Sequence, residues 1–599
     1  MEQILQYYET ELDYMRRSFQ EFERKHPQKA KSLGISAGRS TDPDVQRLAD
    51  SLALHAARLT KRMDETLPET ALDLIRVLAP TFLLGAPSYA AVKLDESTDA
   101  LAEKALLAAG TEMPVALDDG LEKCRFTVAR NVDLLPLKVT SAHFERAPFR
   151  FDAPADSRGC EAAICMTLQA MVPGQTLEEL AIKALELYVS AEGARKQRII
   201  DVLSGDIVGI GYGIVRDGTT SGKETHPLKH EQFDLSMIAE TKTFLPREKT
   251  QMAALSRLRD FLAYPDKAAF FTLSDTDQSF AYHECSAVEL RFFLSNKGAK
   301  QLSEVSTGDF STNVVPVVNI YSDHSRPARY DYARLQMPLK PETSDTMEVD
   351  CLQITNVRKL TPGGEKILPC ITSSQRRALS DLPIWQERYQ TGEFDTARRE
   401  ISFSTIADQG SDPVPLDFVA EMLCSNGRAA FATRPGTEVL FMDEALAECP
   451  FKLIDEPTAP IPPDVKVERL WDVLSMINGN YSTVFNSSDP SEALREALHL
   501  SSPSGFADAA NAIWDVKVRQ SIAPIRVGKK MLLSAGSQIE VVLDAESLPF
   551  AKNVFATALH FFFAAMISYD RFFLLQVRER GIEKPFRVFP KQHGGQLCG

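Results

Sequence analysis

The chain has 599 residues and a mass of 66.5 kDa, enough for roughly three or four domains. Apolar residues make up 44% and charged residues 25%, which excludes wholesale disorder, a collagen-like fibre and a bundle of membrane helices. With 67 Lys and Arg against 82 Asp and Glu the net charge is −15, a field that repels phosphate backbones and anionic lipid and argues against a generic nucleic-acid or membrane-surface role.

The nine cysteines are scattered from Cys124 to Cys598 with no C-x-x-C pair, so neither a disulfide framework nor a Cys-rich zinc module is expected. The N-terminus, MEQILQYYETELDYMRR, lacks the apolar core of a signal peptide. The longest apolar stretch, Val554 to Ile567, is shorter than the ~20 residues that span a bilayer. The expectation is a reduced, cytoplasmic location without direct membrane insertion.

In chain order, the first 80 residues read as helical. Leu5, Tyr8, Leu12, Met15, Phe19 and Phe22 recur at steps of three and four, the seam of a helix that packs along its length. His26-Pro27 should end that helix, because the residue before proline is pushed out of the α region. Thr41-Asp42-Pro43-Asp44 opens a second helix, with a capping side chain, proline in the first turn and a carboxylate at the positive end. Its stripe runs Val45, Leu48, Leu52, Ala56, Leu59 and Met63, and a third short helix is expected over Pro68 to Leu78. The N-terminal seam fits an ordinary core helix or one completed by another chain; periodicity does not separate the two.

From about Pro87 to Leu453 the pattern changes to short strands bounded by Gly, Pro or Asp, among them Ser88 to Leu94, Arg125 to Ala129, Ala162 to Leu168, Ala184 to Ser190, Ala287 to Ser295, Val314 to Tyr321, Met347 to Ile354 and Glu438 to Met442. Thr250 to Leu262 reads as a helix between them. ALELYVSAEGARKQ from Ala184 resembles AVELRFFLSNKGAKQ from Ala287, which suggests two related modules in tandem or a chance match. Asp455 to Asp464, DEPTAPIPPD, is a stiff extended connector. Beyond it lie helices over Val467 to Ile477 and from Ser488-Asp489-Pro490, strands at Ile525 to Leu533 and Ile539 to Leu543, and one long buried helix over about Phe550 to Arg578.

The fold class expected is α+β. It comprises a helical unit (1–86), two β-rich modules (87–275 and 276–455), a Pro-rich linker (456–465) and an α+β domain (466–599) ending in that helix.

No chemistry-bearing constellation survives inspection. Gly34-Ile35-Ser36-Ala37-Gly38 matches G-x-S-x-G, but a nucleophile elbow needs a strand running into the turn, and helical, polar residues precede it. His226 and His230 have the spacing of a helical metal pair, but Pro227 opposes a helix interior there. Gly209, Gly211 and Gly213 lack phosphate-loop spacing and would share one face of a strand, for close packing. Asp118-Asp119 is an acidic-loop pair of a kind that 82 acidic residues make unavoidable. The reading is of a non-enzyme with no catalytic, cofactor or metal residues. A hydrolase using Ser36 is the remote alternative, removed if Ser36→Ala leaves function unchanged.

The segments FQEFERKHPQKAKSLGI (Phe19 to Ile35), DPDVQRLADSLALHAARLTKRMDETLPE (Asp42 to Glu69) and PTFLLGAPSYA (Pro80 to Ala90) resemble the TssF (VasA, ImpG) family of type VI secretion baseplate subunits. The resemblance continues, in order, through HFERAPFRF (His143 to Phe151), NVVPVVNIYSD (Asn313 to Asp323), MLCSNGRAA (Met422 to Ala430), LWDVLSMINGNYS (Leu470 to Ser482), ALREALHL (Ala493 to Leu500) and FRVFPKQHGG (Phe586 to Gly595). Two family features differ: Phe589-Pro590 stands where a tryptophan is common, and Ala79-Pro80-Thr81 where a Tyr-Pro-His-like run is usual.

The resemblance implies a structural subunit with a fold similar to wedge proteins of contractile phage baseplates. Two copies would join one TssG, and TssE and TssK would complete a wedge. Six wedges would surround the VgrG spike and carry the Hcp tube and sheath, docked on the inner-membrane complex. Leu5, Tyr8, Leu12, Met15, Phe19 and Phe22 would then be the interface with TssG and the second TssF copy. A wedge protein of a phage-like contractile injection particle is the nearest alternative.

Overall fold

The computed structural model describes residues 2–95, 101–117, 123–157, 159–216, 219–220, 223–235, 253–280, 285–345, 349–371, 382–391, 397–404, 414–439, 449–463, 469–475, 489–501, 507–527, 530–567 and 571–594. They form two compact units, Met1–Val77 with Val465–Leu474, and Leu78–Asp464 with Ser475–Gly599. Among the described residues no helix is long and apolar enough to cross a membrane.

The first unit is helical. The N-terminal helix runs Glu2–Lys25 and stops before Pro27, as the proline demands. The long helix Pro43–Leu78 is capped by Asp42, whose Oδ1 accepts the backbone N–H of Asp44 at 2.9 Å. It continues unbroken through Pro68, so the separate third helix expected from the sequence is part of it. The reason is registry. Buried Ala57 and Ala71 lie fourteen residues apart, close to four turns, so one buried face crosses the proline. Packing on both sides of Pro68 then outweighs the roughly 3 kcal/mol that an interior proline costs.

The 465–474 segment also belongs to this unit, whereas the sequence reading began a C-terminal domain at 466. Residues 469–475 are helical, and Leu470, Val473 and Leu474 are buried.

The second unit is β-rich. Six strands close into a barrel in the order Val314–Val318, Tyr89–Leu94, Phe451–Leu453, Glu438–Val439, Glu112–Ala116 and Lys123–Val128. Val92, Met113, Phe126, Val315, Val317 and Phe451 fill its interior. A second sheet places Ala287–Leu294 between Ile207–Arg216 and Ala162–Ala170, with Leu137–Arg146 beyond. Both sheets draw strands from either side of residue 275, so stretches 87–275 and 276–455 interleave instead of folding as successive modules. Edge pairing between distant segments is invisible to local pattern, which explains the difference. The two similar segments at Ala184 and Ala287 each lead from a strand into a helix, but their strands lie in different sheets. A further core joins Tyr321, Tyr330, Trp385, Phe403 and Phe418.

The Pro-rich connector is extended and stitched down. Thr458 N–H donates to the Tyr89 carbonyl at 2.9 Å, and Ala86 and Ile461 exchange backbone bonds of 2.8 and 2.7 Å. At its start Asp455 accepts from the buried Lys196 ammonium at 3.2 Å, which also reaches Asp266 at 2.7 Å.

The C-terminal part departs most from expectation. A hairpin of Ile513–Val527 and Lys530–Leu543 replaces the strand expected over Ile525 to Leu533; its turn, 528–529, lies outside the described residues. The long terminal helix is only Lys552–Met566, and Phe572–Glu579 is a strand parallel to Lys530–Leu543. Phe572, Phe573, Leu575 and Val577 are all buried in that strand. A continuous apolar run suits a buried strand as well as a buried helix, and periodicity does not separate them. The helix itself is buried, as expected. It docks on the helix Gly193–Gly205 through Asn553, whose N–H donates to Asp201 Oδ1 at 2.8 Å.

Candidate interaction surface

The candidate chemistry resolves into packing. Ser36 ends a two-residue strand, Ile35–Ser36, paired with Arg39–Ser40. Ala37 and Gly38 between them have φ of 50° and 78°, the left-handed pair that a tight hairpin turn requires. A Cβ at Gly38 would come within 2.9 Å of the Arg16 carbonyl oxygen, so the hairpin lies close on the N-terminal helix. Glu23 Oε2 accepts the Ala37 N–H at 3.1 Å and fixes the turn. It is a hairpin turn, not a strand-to-helix elbow.

His226 sits in the strand His226–Leu228 with its ring on Tyr212, centroids 5.0 Å apart, and His230 opens a short 3-10 helix. The pair is therefore not on one helix. Gly209, Gly211 and Gly213 do share a strand, and each admits a covering group: Ser157, Thr225 with the His226 carbonyl, and the Arg291 guanidinium. Arg291 is fully buried, paired with Glu289 at 2.8 Å and bonded to Thr225 Oγ1 at 2.5 Å. Asp118-Asp119 lies outside the described residues.

Exposed apolar side chains occur in both units, among them Leu335, Val414 and Leu533 in the second, and in the helical unit they recur at helical spacing. On the N-terminal helix Tyr8, Leu12, Met15, Phe19 and Phe22 are half-buried, and none reaches full burial. Leu5 is 55% exposed. Glu11 accepts from Thr60 Oγ1 at 3.0 Å, which ties this helix to the long one.

On the long helix the buried side is lined by Ala49, Ala53 and Ala57, small residues that allow close approach. The larger apolar stripe read from the sequence points the other way: Leu48 is 63% exposed, Leu52 52% and Leu59 64%. Positions 48, 52 and 59 fall on one helical face, so their exposure is contiguous. An ordered apolar stripe of this kind on a folded chain is a candidate interaction surface. Residue spacing located the stripe, but its outward orientation depends on which neighbour the helix packs against.

A helical unit with an uncovered apolar face, joined to β layers whose buried charges are internal ties, is the organisation of an assembly component. The chain belongs to the TssF family of type VI secretion system baseplate components; the family described as "Type VI secretion system, TssF" matches residues 1–596. Type VI secretion system component TssF1 of Pseudomonas aeruginosa is 24% identical over 296 residues, 49% of this chain and 46% of that protein. The chain thus spans about half the length of the curated relative it matches.

Among solved structures, a chain of the type VI secretion TssK–TssF–TssG baseplate subcomplex superposes with a TM-score of 0.71 at 18% identity, covering 92% of this chain and all of that one. A chain of the type VI secretion baseplate complex superposes with a TM-score of 0.58 at 17% identity, over 99% of this chain and all of that one. These likenesses establish that the mixed α+β arrangement is the TssF fold.

Proposed function

We propose that this chain is a structural wedge subunit of a type VI secretion baseplate, with two copies joined to one TssG and with TssE and TssK completing the wedge around the VgrG spike. The observation that carries the reading is the family match across 1–596 together with the uncovered apolar face of the helical unit. The TssK–TssF–TssG subcomplex, in which a chain of the same fold occurs, supports TssG and TssK as direct partners. The partner-binding element is the N-terminal unit read from sequence as 1–86. The seam Leu5, Tyr8, Leu12, Met15, Phe19 and Phe22 and the outward Leu48, Leu52 and Leu59 are the faces that TssG and the second copy cover.

The mechanism is mechanical. Covering a large exposed aliphatic side chain contributes up to roughly 1.5–3 kcal/mol, so a few leucines supply much of a stable interface before ordering costs. Six wedges then form the platform on which the Hcp tube and the sheath nucleate. The β-rich stretches are available for contacts between wedges in the cytoplasm, at the inner-membrane complex.

Native mass spectrometry of the tagged chain from its own host tests the reading. A complex of two copies with one smaller subunit is expected. A monomer or simple homodimer at every salt concentration overturns it.

A further inference from the structure

A cluster outside the interaction surface has the makings of a metal site. His143 on the strand Leu137–Arg146 lies directly opposite Cys165 on Ala162–Ala170. Glu145 is two residues on and so projects from the same face as His143. The imidazole nitrogen, carboxylate oxygen and thiol sulfur of the three all lie within 4.8 Å of one another, the one such trio among the described residues. His143 Nε2 and Glu145 Oε2 are 3.8 Å apart.

The surroundings prepare these groups to act together. Glu145 Oε1 accepts the backbone N–H of Arg150 at 2.8 Å, which orients the carboxylate and leaves Oε2 turned to His143. Cys165 is fully buried on a floor of Phe151, Ala163 and Phe293. His143 is exposed, so the site has an entry path. Arg291 lies across from Cys165 on the next strand, and its charge is taken up by Glu289 at 2.8 Å.

We propose that His143, Glu145 and Cys165 bind a zinc ion that staples the two strands together. Sulfur, nitrogen and carboxylate oxygen are the donor set that zinc takes, and three protein ligands leave a fourth position for water. Tetrahedral bonds of about 2.0–2.3 Å place ligand atoms about 3.3–3.8 Å apart, so side-chain shifts of about 1 Å close the trio around the ion. On binding, the Cys165 S–H bond breaks as the sulfur–zinc bond forms and the proton passes to water. No electron is transferred.

Cobalt(II) titration of the full chain tests the site, because a thiolate ligand produces a charge-transfer absorption and a tetrahedral ion intense ligand-field bands. One ion per chain is expected, displaced by zinc. Cys165→Ser should remove the charge-transfer band, His143→Ala should weaken binding by at least about tenfold, and Cys160→Ser should leave both unchanged. If Cys165→Ser fails to keep its circular dichroism spectrum, His143→Gln at the exposed ligand carries the test. A wild-type chain without the charge-transfer band, a band that persists in Cys165→Ser, or unchanged affinity in a folded His143 variant overturns the proposal.

Discussion

Arg291 illustrates how residue-scale chemistry is used in this chain. Its guanidinium lies over the Phe151 ring at 4.0 Å, pairs with Glu289 and occupies the space left by the missing side chain of Gly213. Removing one member of a buried pair leaves the other charged and without compensation, at a cost of roughly 3–5 kcal/mol. Arg291→Met should therefore lower the urea midpoint strongly, and Arg291→Met with Glu289→Gln should recover much of the loss. Full additivity in that double-mutant cycle would show the pair to be uncoupled. The glycine spacing was legible as a close-packing signal, yet nothing in DIVGIGYG says which group fills the gap. The filler comes from a strand some eighty residues later.

His560 carries a pH dependence at the same scale. It is buried beneath Phe589, ring centroids 4.3 Å apart and nearly parallel, and its Nδ1 has no hydrogen-bond partner. Burial holds its pKa below the ordinary value of about 6.5, against a hydrogen bond with Gln592 that favours the charged form, and with Arg587 adding to the depression. As pH falls below about 6.5 the unfolded chain takes up a proton that the folded one resists, so stability falls with pH in that window. Thermal midpoints measured between about pH 7.5 and 5.5 should drop for the wild type and less for His560→Phe.

At the scale of elements, the helices of the first unit divide their faces by size. The alanine side of Pro43–Leu78 goes inward and the leucine side outward. The outward leucines are more than half exposed, and exposed substitutions usually change stability by less than about 0.5 kcal/mol. Leu52→Glu and Leu59→Glu should leave the thermal midpoint of the isolated chain nearly unchanged and abolish co-purification with TssG. A complex that survives both would remove this face from the interface. Met15→Glu and Phe19→Glu also disturb half-buried positions, so loss of the complex there counts only where circular dichroism remains native.

At the scale of the whole molecule, the division of labour follows from where the cores lie. The second unit closes a barrel around Val92, Phe126, Val317 and Phe451, all of them buried. The helical unit leaves Leu48, Leu52 and Leu59 in water, so a partner that covers them adds to its stability. Amide hydrogen exchange should slow over Pro43–Leu78 when TssG binds, while the barrel strands Tyr89–Leu94 and Val314–Val318 stay as they were. Equal slowing in both would place the partner elsewhere.

What the sequence determined by itself is local: caps, stops and periods. Asp42 and Asp489 mark helix starts because their carboxylates accept backbone N–H groups within three residues. The seam of the N-terminal helix and the leucine stripe were legible because a helix repeats every 3.6 residues. Tertiary structure decided everything that depends on which distant segment lies alongside. It carried the long helix through Pro68, moved 465–474 into the helical unit, turned Phe572–Glu579 into a strand and interleaved the β stretches across residue 275. It also brought His143 opposite Cys165, a pairing that no local spacing encodes. The physical reason is the same in each case. Backbone preferences act over a few residues, whereas sheet pairing and burial are settled by long-range contacts whose partners the local pattern does not name.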